Sequence, residues 1–443
     1  MRDITKLDVL EQAQEYNVKF IRLQFTDIFG VFKNIAVTVE ELPKALEGKI
    51  VFDSSVIDGT VGNREREICL VPDPGSFVIF PWRPREGAVA RLICDITNSD
   101  GTPYECCSRS VLKRAVGEAG ALGLRMMVGA ETEFFLFRTD EQNKPTVSTH
   151  DTAGFCDLSP VDLGENARRD MVLTLKEMGF EITSSHHEFA PGQHEISLKP
   201  DDALAMCDKL VTFRFVVRTI ARRHGLHASF MPKPVNGLSG SALHVYQTLF
   251  RNLDNIFYDP AGQNQLSETA LHYVAGLLKH ARALACVTNP IVNSFKRLVP
   301  GDLSPCYIAW SGESRNTVIK VPANKGDETR VEVRNPDSAC NPYLAVAIML
   351  KAGLSGIKDK ILPPPPVADN LFSLTPEQHR RRGISKLPPN LGEAVQLLRQ
   401  DKLVTGVIGE VLAKKYISAK EIEWSQYQDY VHPWEINKYL PVF

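Results

Sequence analysis

Glu131-Thr132-Glu133 stands inside an apolar run, and the period-two geometry of a strand puts both carboxylates on one face with Thr132 opposite. Two carboxylates on such a strand repel each other and lose solvation unless a cation compensates them. A solvated edge strand is the alternative for this pair taken alone. Farther along, His186-His187-Glu188 and His194-Glu195 flank a Pro191-Gly192 turn and add two carboxylates and three histidines. Arg330, Glu332 and Arg334 alternate with Val331 and Val333, so the polar residues share a face while the valines enter a core. Gly240-Ser241-Ala242-Leu243-His244 supplies a glycine-containing approach and another imidazole. Five carboxylates and one imidazole on strands suit a hard divalent cation such as Mg²⁺ or Mn²⁺. The interleaved arginines suit phosphate and carboxylate anions, and phosphoryl transfer uses both. The sequence contains neither GxxxxGK[ST] nor GxGxxG after a strand, so the expected nucleotide site is of another kind.

The elements that must position these groups follow from hydrophobic spacing. Residues 7–17 show helical periodicity through Leu7, Leu10 and Ala13, with Asn17 as the stop. Strand patterns cover 18–25 and 31–37 around an Asp27-Ile28-Phe29-Gly30 turn, then 76–81 and 88–96. The turn cluster Asn98-Ser99-Asp100-Gly101-Thr102-Pro103 closes a small sheet-rich domain, 1–103, ahead of a large mixed one, 104–443. Within the second, helices are expected at 109–122, 163–178, 202–224 and 266–287, and strands at 126–137, 180–185, 193–199, 306–310, 317–321 and 329–334. Pro363 to Pro366 form a stiff extended break before a mostly helical end. The class is α+β.

Composition narrows the function. A chain of 443 residues exceeds one hydrophobic core. With 51 basic against 53 acidic residues, neither a nucleic-acid surface nor a polybasic membrane patch is expected, and a small-molecule substrate is the better fit. The start carries no signal-type apolar stretch, and no run approaches the ~20 apolar residues of a membrane span. The nine cysteines lack CxxC spacing, which reads as thiols in a reducing compartment and not as a disulfide frame or zinc site. A cytoplasmic location is expected, with no membrane partner.

Glu131-Thr132-Glu133-Phe134-Phe135, Gly192-Gln193-His194-Glu195, the run from Asn293 to Gly301, Arg330-Val331-Glu332-Val333-Arg334 and Asn341-Pro342-Tyr343-Leu344 together resemble the signatures of type I glutamine synthetases. The resemblance runs over nearly the whole chain and is closest to the shorter alpha-type enzymes, since Asn370-Leu371-Phe372 lacks the tyrosine that beta-type enzymes adenylylate. It implies a β-grasp-like N-terminal domain and a large catalytic domain whose curved antiparallel sheet, flanked by helices, forms half of a funnel. It also implies a dodecamer of two hexameric rings with active sites between neighbouring subunits. By position, Glu133, Glu188 and Glu195 would hold one metal and Glu131, His244 and Glu332 the other, with two to three Mg²⁺ or Mn²⁺ per site and ATP as co-substrate. Arg297, Arg315 and Arg334 would hold glutamate and its γ-phosphate, with Ser239 and Gly240 along the amino-acid backbone. Thr183, Tyr246, Thr248, Arg315, Lys320 and Arg330 fall at ATP-binding positions. Asp53, Glu188, Arg315 and Arg330 fall at catalytic ones, Asp53 reaching across from a neighbouring subunit toward the ammonium.

Departures from the family pattern cluster at the amine acceptor pocket formed by Asp53, Val56, Phe155 and Leu303. Leu303 stands where a flap glutamate is usual, Phe155 where a tyrosine is, Val56 where a serine is, and Thr60 where an aromatic residue is common. Each lost hydrogen bond to an ammonium costs roughly 1.5–3 kcal/mol, whereas an alkyl or aryl amine gains roughly 0.8 kcal/mol per buried methylene. Ser239, Thr183, Pro200, Tyr246 and Lys320 also differ from the usual residues, around the glutamate and nucleotide. The expectation is therefore a glutamate–amine ligase acting on an organic amine. A glutamine synthetase using ammonia, with Asp302 replacing the flap acid, is the alternative, and a weakly active regulatory homologue is a third.

Overall fold

The computed structural model describes residues 4–58, 66–83, 86–301, 304–322, 326–368 and 370–443. A helix, Lys6–Glu15, opens the chain, its first turn closed by a reciprocal cap between Thr5 and Asp8. Six strands follow: β1 (Val18–Thr26), β2 (Phe32–Thr38), β3 (Ile50–Asp53), β4 (Glu67–Pro72), β5 (Val78–Ile79) and β6 (Ala88–Asn98). They form one sheet in the order β2-β1-β6-β4-β3, with β5 on β6 and with β1 parallel to β6. The strand expected at 76–81 is shorter: Pro74–Ser76 is a 3₁₀ turn, and only Val78–Ile79 pairs. Sequence reasoning missed β3 and β4, which are too short to show a clear period.

The second sheet carries β7 (Arg125–Thr139), β8 (Pro145–Thr149), β9 (Ile182–His187), β10 (Gln193–Asp202), β11 (Leu226–Ser229) and β12 (Leu243–Arg251). It continues with β13 (Asp254–Asn255), β14 (Tyr307–Ser311), β15 (Thr317–Lys320), β16 (Val331–Val333) and β17 (Ser385–Lys386). The order is β17-β14-β15-β16-β12-β7-β10-β9, with β8 and β11 on β7 and β13 on β12. Among the described strands of this sheet only the β14–β15 pair is parallel. Thus β7 lies in the middle of the sheet, which overturns the edge-strand alternative for Glu131 and Glu133.

Helices Ala203–Arg223, Glu268–Thr288 and Pro342–Asp359 back this sheet. The last has no counterpart in the sequence expectations. Every residue from Pro342 to Leu350 is buried, so the segment lacks the polar stripe that reveals an amphipathic helix. It packs on Glu268–Thr288 at a distance set by glycine: a Cβ on Gly276 would lie 2.1 Å from the Ala352 carbonyl oxygen, and one on Gly356 2.0 Å from that of His272. Its N-cap, Asn341, donates through Nδ2 to the carbonyls of Asp27 and Ile28 in the β1–β2 turn. Gly30 of that turn has φ +81° and abuts Asn341 Cα, a place no side chain fits.

A buried guanidinium ties the first sheet to the helices behind the second. Arg109 bridges Asp73 (2.6 Å), Asp95 (2.8 Å) and Asp208 (2.9 Å), and Tyr343 Oη donates to Asp208. The nine cysteines are unbridged, seven of them buried, Cys69 half-buried and Cys156 exposed. Among the described residues, no helix is long and apolar enough to cross a membrane.

Candidate active site

Register brings the carboxylates together. Glu131 and Glu133 leave one face of β7 while Thr132 is buried on the other. Across the β7–β10 ladder Glu133 faces Glu195, and across β10–β9 Glu195 faces His186. On the other side Glu131 faces His244 of β12, and Tyr246 faces Glu332 of β16. Four chain segments far apart in sequence thus place one row of acids and imidazoles along a single face.

The row resolves into ligand-sized groups. Ligand atoms of Glu131, His244 and Glu332 lie within 4.8 Å of one another, as do those of Glu133, Glu195 and His244, and those of His186, Glu188 and Glu195. His244 Nδ1 is 3.1 Å from Glu131 Oε2 and 3.7 Å from Glu332 Oε1. Tyr246 Oη donates to Glu131 Oε1 at 2.6 Å. Gln193 Nε2 donates to Glu133 Oε2 at 3.3 Å and to the Gly240 carbonyl at 3.1 Å, while the Ala242 N–H donates to the same Glu133 oxygen at 2.8 Å.

The electrostatics divide the row. Burial pushes Glu131 upward, but its bonds to His244 and Tyr246 outweigh that and hold it at about 2. Burial, with the neighbouring charge of Glu195, raises Glu133. Burial first, then the charges of Glu133 and Glu195, push Glu188 up to about 7. His186 rises to about 9 through its hydrogen bond to Glu195. His244 is also raised: burial and Arg334 oppose its charge, but Glu131, Glu332 and Glu133 prevail. The chain's own cations therefore leave Glu133 and Glu188 under-compensated, and an oxygen-rich, crowded set of this kind fits a divalent ion.

A cavity of about 270 Å³ opens over this face. Of the residues singled out in the sequence, Glu131, Glu133, Glu188, Glu195, His244 and Tyr246 border it. So do Phe155, Ser239, Gly240, Arg297, Arg315, Lys320 and Arg334. Arg297 is buried and donates to the carbonyls of Asn335 and Pro336, and Arg334 donates to Glu332. The Nε atoms of Arg297, Arg330 and Arg334 are buried without an acceptor, donors suited to an anion.

Other residues lie elsewhere. Glu332 is buried behind His244 and Arg334, and the Arg330 guanidinium lies 4.4 Å above the Tyr246 ring. Thr248 Oγ1 donates to the Thr329 carbonyl and Thr183 Oγ1 to that of Ser197, so neither hydroxyl is turned to the cavity by these bonds. Asp53 Oδ1 accepts from the Ser55 N–H at 2.6 Å, and Val56 is exposed; both belong to the first sheet's end and do not border this chain's cavity. Leu303, Asp302 and Thr60 lie outside the described residues.

Of the three histidines near Glu188 and Glu195, only His186 reaches the cavity. His187 and His194 belong to a buried network behind it. Asp151 lies between His150 (3.0 Å) and His187 (3.3 Å), and Arg168 donates to Asp162 (2.7 Å) and to His194 Nδ1 (2.9 Å). The sequence reading gave no role to Gln193, Phe189 or His186. For His186 the signal was present, as it alternates with Glu188 across His187.

With the geometry in view, comparison with known proteins is decisive. Residues 17–99 match the glutamine synthetase beta-grasp domain, and residues 105–439 match the glutamine synthetase catalytic domain. The chain belongs to the glutamine synthetase family. It is thus an ATP-dependent carbon–nitrogen ligase by family, with the β-grasp and curved-sheet architecture expected. It is 52% identical over 440 residues to a glutamine synthetase of Clostridium saccharobutylicum, covering 99% of each chain. It is 48% identical over 443 residues to that of Thermus thermophilus, again covering 99% of each. Among solved structures, GmaS in complex with ADP superposes with a TM-score of 0.89 at 30% identity, covering 98% of this chain and 99% of that one. A Plasmodium falciparum glutamine synthetase shares the fold, with a TM-score of 0.87 at 24% identity over 99% of this chain and 100% of that one.

Proposed function

We propose that this member of the family is a glutamate–amine ligase whose acceptor is an organic alkyl or aryl amine. In the reaction, a γ-carboxylate oxygen of glutamate attacks the γ-phosphorus of ATP and releases ADP. The amine nitrogen then attacks the acyl carbon of the γ-glutamyl phosphate, expels phosphate and loses a proton. Arg297, Arg315 and Arg334 bind the glutamate and the transferring phosphoryl group, and the unused Nε donors of Arg297 and Arg334 support that role. Tyr246, Lys320 and Arg330 take the nucleotide side, with Thr183 and Thr248 at its margin, and likeness to an ADP-bound relative supports this assignment.

The six metal-ligand positions hold two to three Mg²⁺ or Mn²⁺, Glu133, Glu188 and Glu195 at one site and Glu131, His244 and Glu332 at the other. When bound, such ions spread the charge of the phosphoryl group. Asp53 and Val56 reach a neighbouring subunit's acceptor pocket in a dodecamer of two rings, which accounts for their distance from this chain's own cavity. The same reading divides the chain at 103/104.

One observation carries the choice of acceptor: the Phe155 ring, edge-on to His186, borders the cavity that Glu188 also lines, and a phenyl ring offers no oxygen to accept from an ammonium. The second reading, a glutamine synthetase using ammonia, is favoured by the 52% identity to a relative bearing that name. Phosphate release with glutamate, ATP and a panel of amines separates the two. The first expects organic amines to surpass ammonia in kcat/KM. Ammonia surpassing every organic amine, together with rescue of a glutamine auxotroph, would establish the second.

A further inference from the structure

Phe155 is not alone on the cavity wall. The Phe189 ring, from the residue after Glu188, stacks on it with centroids 4.5 Å apart and planes 8° from parallel. Both rings border the cavity, and within the single chain they remain 47% and 43% exposed, so nearly half of the aromatic pair is not covered by the chain's own side chains. Phe155 also meets the His186 ring edge-on at 5.4 Å.

The local backbone holds the pair in place. Phe155 lies in a turn in which the Gly154 N–H donates to Asp157 Oδ2 (2.8 Å) and the Asp157 N–H to the Gly154 carbonyl (3.2 Å). The Cys156 N–H donates to the His187 carbonyl at 3.0 Å, with Cys156 in the left-handed region at φ +60°. That conformation is uncommon for a residue with a side chain and persists where its surroundings impose it. Phe189 is fixed in turn by its N–H, which donates to Glu188 Oε2 at 3.2 Å. The pair is therefore a preformed apolar ledge one residue from a carboxylate.

Most of the rest of the cavity is polar or charged. Arg334 follows β16, four places from β9 in the sheet order, a separation of roughly 19 Å at ~4.8 Å per strand. The anionic reactants belong with the guanidinium groups; the ledge lies at the other end of the row, beside His186 and Glu188.

We infer that the Phe155–Phe189 ledge receives the hydrocarbon body of the acceptor, and that the acceptor is a primary monoamine bearing an alkyl or aryl group. This rests on the organic-amine reading above and adds to it the class of amine and Phe189 as a determinant of specificity. The amine nitrogen lies toward Glu188, the residue before Phe189, and the hydrocarbon covers the ring surface.

The test is a homologous series from methylamine to hexylamine, with benzylamine, read as kcat/KM from ADP release. For the wild type, kcat/KM rises about fourfold per added methylene until the ledge is covered. Phe189→Ala and, separately, Phe155→Leu flatten the rise to less than about twofold per methylene. Thermal melting checks that each variant is folded, and either folded variant suffices. An unchanged slope in the folded variant overturns the ledge, as does a shift confined to the KM for ATP, which would place the nucleotide base there. Turnover of ammonia with no organic amine used by the wild type would instead remove the reading on which the inference stands.

Discussion

Glu188 is the carboxylate whose environment opposes ionisation enough to measure. Its folded value of about 7, against an ordinary 4.5, corresponds to roughly 3 kcal/mol of ionisation cost at 1.36 kcal/mol per tenfold. Because the folded value is the higher one, the cost is absent below about pH 4.5, grows between there and pH 7, and is complete above pH 7. Glu188→Gln keeps the shape and leaves an oxygen to accept from the Phe189 N–H, but removes the charge. It also forfeits attraction to His186, 3.5 Å away, so the expected net gain for chelator-treated protein at pH 8 is about 1–3 kcal/mol. For a chain of this length that is a rise in melting temperature of about 1–3 °C, shrinking as pH falls toward 5. Added Mg²⁺ should then reverse the order, stabilising the wild type strongly and the variant weakly, because binding an ion to the folded state raises its stability by mass action. Melting curves across pH 5–8, with chelator and with Mg²⁺, measure both effects. A variant no more stable than wild type at pH 8 in chelator, or an equal Mg²⁺ response in both proteins, would refute the argument that this carboxylate is held ionised for a cation.

Three other perturbations follow from the same coordinates. Gly353→Ala would set a Cβ 2.0–2.4 Å from Tyr273 ring atoms, so thermal melts should show a loss of about 1–3 kcal/mol; Gly120→Ala, in open space within a helix, should be neutral or stabilising by up to about 1 kcal/mol. Asp151→Asn uncouples the buried His150 and His187 and should cost about 3–5 kcal/mol near neutral pH. Denaturant unfolding should show that deficit narrowing in acid, where protonation removes from the wild type the charge that its histidine partners hold ionised. Arg334→Lys loses the planar fork beside Glu332, and steady-state kinetics should show kcat/KM for glutamate falling roughly 10–100-fold with little change in melting temperature.

The legible part of the chain was the part whose signal is local. Period-two alternation at 131–133 and 330–334 gave the correct faces, and β7, β10 and the long amphipathic helices appeared near their expected bounds, whereas the central strand β12, which carries His244 and Tyr246, was not anticipated. The buried helix Pro342–Asp359 escaped because apolar residues surround it, and β3, β4, β8 and β11 because a few residues establish no period.

The sequence by itself determined the ligand chemistry: which side chains are acids, imidazoles and guanidiniums, and which face of its own strand each occupies. Tertiary structure decided which of them meet, through the cross-strand registers that set Glu133 beside Glu195 and Glu131 beside His244. It also retired two of the three histidines to a buried network and uncovered Phe189 beside Phe155. The physical reason is that side-chain direction along a strand follows from the backbone's own pleat, whereas register is fixed by hydrogen bonds between segments distant in sequence, about which local spacing carries no information.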